Sequence, residues 1–290
     1  LTLEGPIGEK TTYLLSARRS YLQLLFEALE LPFLPTYNDF QAKIKHRFDD
    51  KNELTFVGLG AVDQFRLNLN ANETEEQQYI LNNIPDNSQW NYAGGLVYKR
   101  YTDNGFWTLV LSRNKLNNES EKYRNNDDST EDNLLLRYRS QEAENKLRLE
   151  HTTRFDDYKL NVGAGFENAL YTNRTFNRIA TEAGLQEVNF SSELTLNRYF
   201  FFGQLSRKFL GDRLALSLGF RADANFYSDE MNDPLDQFSP RFSLTYAFSE
   251  RMAFNFNTGI YYQLPPYTVL GYREDEQLVN KQNGIGYIRN

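Results

Sequence analysis

The chain has 290 residues, no cysteine, a net charge of -7, 15% aromatic residues and a mean hydropathy of -0.65. No run of about 18 consecutive apolar residues occurs, which excludes an ordinary transmembrane helix; the absence of cysteine excludes disulfides and thiolate metal sites, and an acidic balance without a concentration of Lys and Arg speaks against nucleic acid as a partner. Many large rings on so polar a chain suit a sheet whose two faces meet different surroundings, as in a transmembrane barrel with lipid outside and water within.

In chain order, the apolar stretch Tyr21 to Leu34 has helical spacing, with Leu22, Leu25, Phe26 and Leu29 on one side. Pro32 and Pro35 end it, which predicts a short helix packed on the rim of a sheet. Elsewhere the spacing is two. Phe40, Ala42, Ile44 and Phe48 alternate with charged or polar neighbours, and Leu160, Val162, Ala164 and Phe166 do the same. From Arg213 to Phe226 the even positions are apolar (Leu214, Leu216, Leu218, Phe220) while the odd ones include Ser217, Arg221 and Asp223. Residues 240–248 and 252–262 repeat the pattern. Successive side chains of a strand point to opposite faces, so each segment predicts a strand with one greasy side and one wet side. In residues 133–153 and 192–209 the apolar parity switches, between Tyr138 and Leu147 and near Arg198, which predicts a bulge or an irregular extension in each.

Short turn-like connectors at 8–10, 49–52, 102–105, 154–157, 211–212 and 249–251 alternate with long polar ones at about 20–36, 68–88, 118–131, 173–191 and 227–237. The fold class that follows is all-β: an antiparallel up-and-down transmembrane β-barrel, with about twelve strands represented. The short side is expected to be periplasmic. Rings cluster beside the short turns, namely Phe48, Phe56, Tyr101, Phe106, Trp107, Phe155, Tyr158, Phe209, Phe248 and Phe254. They are expected to form one aromatic girdle at the membrane interface.

Catalytic chemistry finds no support. His46 falls in parity with Ile44 and Phe48, and His151 with Leu147 and Leu149, so both are expected on the lipid side or the rim, away from a nucleophile. The acidic stretch Glu119 to Asp132 matches no calcium-loop spacing and reads as a solvated loop. Asn-X-Ser/Thr triplets at Asn72, Asn118, Asn173 and Asn189 are expected to stay unmodified in a bacterial barrel. No catalytic, cofactor or metal residue is predicted. Tyr261, Tyr262 and Gln263 lead into a polar loop and are ligand-binding candidates of the kind that stacks on a sugar or an aromatic chelate; an outer girdle explains the same tyrosines without a ligand.

Several phrases carry a resemblance: Leu3-Glu4-Gly5-Pro6-Ile7-Gly8 followed by Ser16-Ala17-Arg18-Arg19-Ser20-Tyr21, then Ser239-Pro240-Arg241-Phe242-Ser243-Leu244, and Gly259-Ile260-Tyr261-Tyr262-Gln263-Leu264-Pro265-Pro266. They resemble the barrels of TonB-dependent receptors, particularly the Bacteroidota type with an upstream carboxypeptidase-like regulatory domain or the SusC-like group. The resemblance implies that residues 1–290 are part of one outer-membrane barrel domain, about twelve strands of a barrel of about 22, with the plug domain, the TonB box and the closing strands outside these residues. It also implies active import of a scarce nutrient such as an iron chelate, a vitamin, a glycan or a peptide, and no enzymatic activity. The implied partners are the lipid bilayer and lipopolysaccharide, the TonB complex acting through the plug, and a surface lipoprotein lid; no nucleic acid is among them. The implied location is the bacterial outer membrane, crossed many times. Two other readings stay open at this point: a complete twelve-stranded pore or barrel enzyme, and a soluble carbohydrate-binding β-sandwich, whose strands also alternate.

Overall fold

The computed structural model describes residues 1–182, 184–274 and 276–290. Twelve antiparallel strands form one sheet in strict chain order: β1 (Thr2–Ile7), β2 (Thr11–Arg19), β3 (Phe33–Arg47), β4 (Asn52–Leu67), β5 (Asp86–Thr102), β6 (Gly105–Tyr123), β7 (Leu134–Phe155), β8 (Tyr158–Thr181), β9 (Gly184–Phe209), β10 (Leu214–Asn225), β11 (Phe238–Ser249) and β12 (Met252–Gly259). Every strand pairs with its sequence neighbours, and β1 and β12 are the two edges of an open sheet. Tight turns join alternate pairs at one end, where Gly8 (φ 66°) and Gly211 (φ 60°) take the left-handed backbone that a β-carbon disfavours.

Longer connectors at the other end hold α1 (Leu22–Ala28), α2 (Glu75–Asn83) and the single turn α3 (Asp229–Asn232). The predicted rim helix is therefore present, but shorter than the apolar stretch. Its chain returns to the sheet at Phe33, whose ring meets Phe26 edge-on at 5.4 Å. The start of α2 is fixed by a capping box, in which Thr74 accepts from the Gln77 amide while the Gln77 side chain takes the Thr74 amide.

The apolar residues of successive strands line up in rows. Phe56 stands opposite Leu96, Leu96 opposite Leu111, Leu111 opposite Leu147, Leu147 opposite Phe166, and Phe166 opposite Tyr199. Phe56, Leu96, Leu111, Leu147 and Phe166 are all exposed. Among the described residues no second sheet and no layer of helices covers this face, so the β-sandwich reading fails: a sandwich needs these rows packed against a partner sheet.

Two sequence expectations need correction. β7 pairs with β8, and β8 with β9, without a register break, so neither parity switch is a bulge; within residues 133–153 a register shift against β6 does occur, but at the start of β7, where Lys122 pairs with Leu136 and Tyr123 with Leu134. What switches is the environment. Near the short turns the odd residues of β9, such as Phe201 and Leu205, form the exposed apolar face; toward the far end the even residues Leu194 and Leu196 are buried instead. They lie under residues 264–274 and 276–287, which return to the opposite face and supply Leu264, Tyr267 and Leu270 to one cluster with Ala169, Tyr171 and Met231. Likewise, the polar segment 173–191 is no loop: β8 and β9 stay paired out to Thr181 and Gly184. Its polarity is satisfied by ladder hydrogen bonds and cross-strand pairs such as Arg178 to Glu187 at 2.8 Å. The 118–131 connector shortens for the same reason, because β6 runs to Tyr123.

Candidate functional site

The face opposite the apolar rows is where polar chemistry collects. Its level is set by register: Lys146 faces Glu167 and Glu167 faces Arg198; one row nearer the short turns, Arg148 faces Gly165, and Gly165 faces Phe200. Below that, Glu150, Gly163, Phe202 and Arg221 are aligned. Strand alternation thus delivers one charged row and one aromatic–arginine patch to the same side.

In the charged row, Lys146 Nζ lies 2.6 Å from Glu144 and 4.0 Å from Glu167, and Arg198 pairs with Glu167 while standing 3.8 Å from Glu144. The returning segment joins this network. Tyr267, in the helical turn α4 (Tyr267–Leu270), donates its hydroxyl to Glu144 Oε1 at 2.5 Å. Burial pushes the Tyr267 phenol above its ordinary value and the bond to Glu144 adds to this, with Arg198 pulling the other way. The proton therefore stays on Tyr267 across the neutral range, which makes it a fixed donor.

The patch below forms an open cleft of about 420 Å³ that includes Arg148, Glu150, Phe200, Phe202, Arg221 and Arg241, with Tyr261 at its edge. Arg221 makes two bonds of 2.7 Å to Asp223, and its guanidinium lies 4.0 Å from the Phe200 ring centre. Arg241 stacks over Tyr261 at 4.8 Å and has no carboxylate partner among the described residues. Arginines beside rings favour a flat ligand carrying negative charge. No group of three or more metal-ligating side chains exists among the described residues.

Of the ligand-binding candidates read from sequence, Tyr261 reaches the cleft. Tyr262 and Gln263 pair instead with Arg289 and Ile288. Phe200, Phe202, Arg221 and Arg241 escaped notice, although a signal existed: Gly163 and Gly165 share a parity on β8 and face the rings of Phe202 and Phe200 on β9. Small residues opposite large ones mark a place where rings lie flat across a strand. The girdle set divides between faces. Phe48, Phe56, Trp107, Phe155, Tyr158, Phe209 and Phe254 share the apolar face by register, with Phe155 and Tyr158 stacked at 5.6 Å and Arg207 between Tyr158 and Phe209. Phe248 packs edge-on against Tyr246 at 4.8 Å, beside a register shift. Tyr101 and Phe106 stand on the other face, in contact with each other at 6.0 Å, so the expectation of one continuous girdle does not hold for them. Parity explains it: Tyr101 falls with Lys99, whereas Tyr98 and Leu96 face outward. His151 stacks on Trp107 at 4.2 Å, and His46 shares a 2.8 Å hydrogen bond with Thr11. Neither histidine reaches the cleft.

Comparison with solved structures gives the architecture a wider context. A mutant of the ferric enterobactin receptor PfeA from Pseudomonas aeruginosa superposes with a TM-score of 0.63 at 16% identity, covering 93% of this chain and 42% of that one. The copper transporter OprC gives 0.63 at 14%, covering 90% and 42%, and BauA, the ferric preacinetobactin receptor from Acinetobacter baumannii, gives 0.61 at 9%, covering 93% and 46%. At such identities the likeness is one of fold. The chain spans somewhat less than half the length of these structures. No curated protein matches it in sequence. The family model "TonB dependent receptor-like, beta-barrel" matches residues 36–290, and with twelve hairpin-linked strands carrying one exposed apolar face, the chain belongs to the TonB-dependent receptor β-barrel family.

Proposed function

We propose that this chain is part of the wall of an outer-membrane importer, a barrel of about 22 strands closed by further strands and filled by a plug. The apolar rows face lipid, and the charged row and arginine–aromatic cleft face the interior. The observation that carries the reading is the row Phe56, Leu96, Leu111, Leu147, Phe166, exposed across five consecutive strands with nothing packed on it. Water would oppose such a surface, and hydrocarbon favours it.

The cargo follows from the cleft. Arg241 and Tyr261 suit a scarce nutrient bearing a flat anionic group, such as an iron chelate, and structures of similar fold include a ferric enterobactin receptor and a copper transporter. Energy is expected to come from TonB through the plug, and a Bacteroidota-type regulatory domain or a lipoprotein lid belongs to the same proposal. The test is uptake of labelled ferric chelates by the deletion strain and by a strain lacking TonB. Loss of energised uptake in both is expected, whereas unchanged uptake without TonB refutes energised import. Retention of the protein in the outer membrane until detergent is added is the separate check on the lipid-facing assignment.

A further inference from the structure

After β12 the chain closes a short neck. Tyr262 pairs with Arg289 and Gln263 with Ile288, and the Tyr261 and Asn290 backbones exchange hydrogen bonds of 3.2 and 2.8 Å. Beyond the neck the described residues 264–274 and 276–287 fold back onto the polar face of β8 and β9. Their fit to the wall is close. Leu270 and Met231 are fully buried, and Leu264, Tyr267, Leu278 and Tyr287 pack around the same cluster. Gly271 approaches so nearly that a β-carbon there would stand 2.9 Å from both Ser192 Oγ and Tyr171 Cδ1, an approach that suits glycine.

Hydrogen bonds from separate elements pin the segment along its length. Ser192 donates to the Gly271 carbonyl, Tyr227 to the Leu270 carbonyl at 2.8 Å, and the fully buried Asn225 to the Tyr287 hydroxyl at 2.9 Å, beside the bond from Tyr267 to Glu144. Swinging outward would break all four and bring the apolar cluster into water.

Register sets the level of the segment. Gly165, opposite Phe200 of the cleft, lies seven residues beyond Tyr158 at the short-turn end, and Ala169, under the segment, lies eleven. At about 3.3 Å per residue and a tilt of about 40°, these are rises of about 18 Å and about 28 Å, against an apolar band about 25 Å tall on the other face. The cleft thus opens within the height of the band, and the segment covers the polar face at its upper limit. Tyr261 belongs to both, as the base of the neck and an edge of the cleft.

We propose that the returning segment is a fixed shelf over the cleft, and that the shelf rather than the cleft limits the bulk of cargo that reaches Arg241 and Tyr261. The proposal rests on the import reading above. A cargo then seats one slender, flat arm beneath the shelf while its bulk stays outward of it.

The chain holds no cysteine, so a thiol placed in it reports access to that place. In the full-length receptor in outer membranes, Ser192→Cys lies buried under the shelf and Ser243→Cys lies in the cleft. Each is labelled with N-ethylmaleimide and with the bulkier tetramethylrhodamine maleimide, before and after residues 264–287 are replaced by Asn-Gly, a turn that suits the paired neck. With the shelf present, Ser192→Cys should react with N-ethylmaleimide about a hundredfold more slowly than without it, since access then needs local opening. At Ser243→Cys, removal of the shelf should speed the rhodamine reagent about tenfold or more and leave N-ethylmaleimide unchanged. Fast labelling of Ser192→Cys with the shelf in place makes the segment a lid and overturns the proposal, as do equal rhodamine rates at Ser243→Cys. Leu270→Asp, which undocks the segment at full length, should reproduce both changes, and it stands in if the shortened protein fails to migrate as a folded, heat-modifiable barrel. None of these rates depends on energised uptake; unchanged uptake without TonB sinks the import reading instead, so the two failures are distinct.

Discussion

Phe202 lies flat over Gly163 of the adjacent strand, so closely that a β-carbon added at 163 would stand 2.5 Å from the ring's Cζ and 2.8 Å from the Leu149 carbonyl. Phe200 covers Gly165 in the same manner, and the two rings stack on each other at 6.4 Å. The rings thereby roof two strands and present their faces to Arg221 and the cleft.

Gly163→Ala is accordingly expected to destabilise the folded barrel by about 1–3 kcal/mol, the usual cost of overpacking. In the double variant Gly163→Ala/Phe202→Ala the total cost should be less than the sum of the two single costs, because the second change removes the clash with the ring and leaves that with the Leu149 carbonyl. Urea unfolding in detergent micelles measures both, and full additivity would show that ring and glycine do not interact.

The two faces of β7 should respond oppositely to charge. Leu149, exposed on the apolar face about midway up the band, is expected to cost about 2–4 kcal/mol when changed to Arg in a lipid-embedded barrel. The adjacent Arg148 pairs with Glu150 at 2.9 Å on the polar face, half exposed, and Arg148→Gln should cost under about 1 kcal/mol. Reversible unfolding from phospholipid vesicles reads the difference, and equal costs would contradict the assignment of faces.

Leu270 is fully buried against the wall at the end of α4. Leu270→Ala should cost about 2–5 kcal/mol locally, seen as faster hydrogen exchange and tryptic cleavage at Arg273 and Lys281 with the strands β4 to β6 unchanged. Protection lost equally across the sheet would mean that the returning segment and the wall unfold as one unit.

At the far end of β7, Arg137 bonds Glu131 of the β6–β7 connector at 3.0 Å and Glu121 of β6 at 2.8 Å, and the Arg137 guanidinium holds the Glu131 carboxyl below its ordinary value. A depressed carboxyl contributes order above its unfolded-state value and loses it as pH falls through the folded one. The protection of the 124–133 amides, relative to their intrinsic exchange rates at each pH, should therefore be unchanged from pH 7 down to about 4.5 and fall only below that. In Glu131→Gln the acid step should vanish; its persistence would assign it to another group.

Strand number, hairpin order and the residues that share a face were legible along the chain, because side-chain alternation and turn chemistry are local properties. The segment Leu214 to Phe220 could be placed on its two faces from parity alone. What lay over each face depended on segments distant in the chain. Leu196 and Leu205 are the same residue type on the same strand, yet one is buried under Leu270 and its neighbours on one face and the other is exposed on the opposite face. Composition could not distinguish a bulge from this exchange of environments, since both switch the apolar parity. The meeting of Arg221 with Phe200, and of Tyr267 with Glu144 across 123 residues of chain, required the register of four strands and the return of a distant segment, and no spacing along the sequence encodes either.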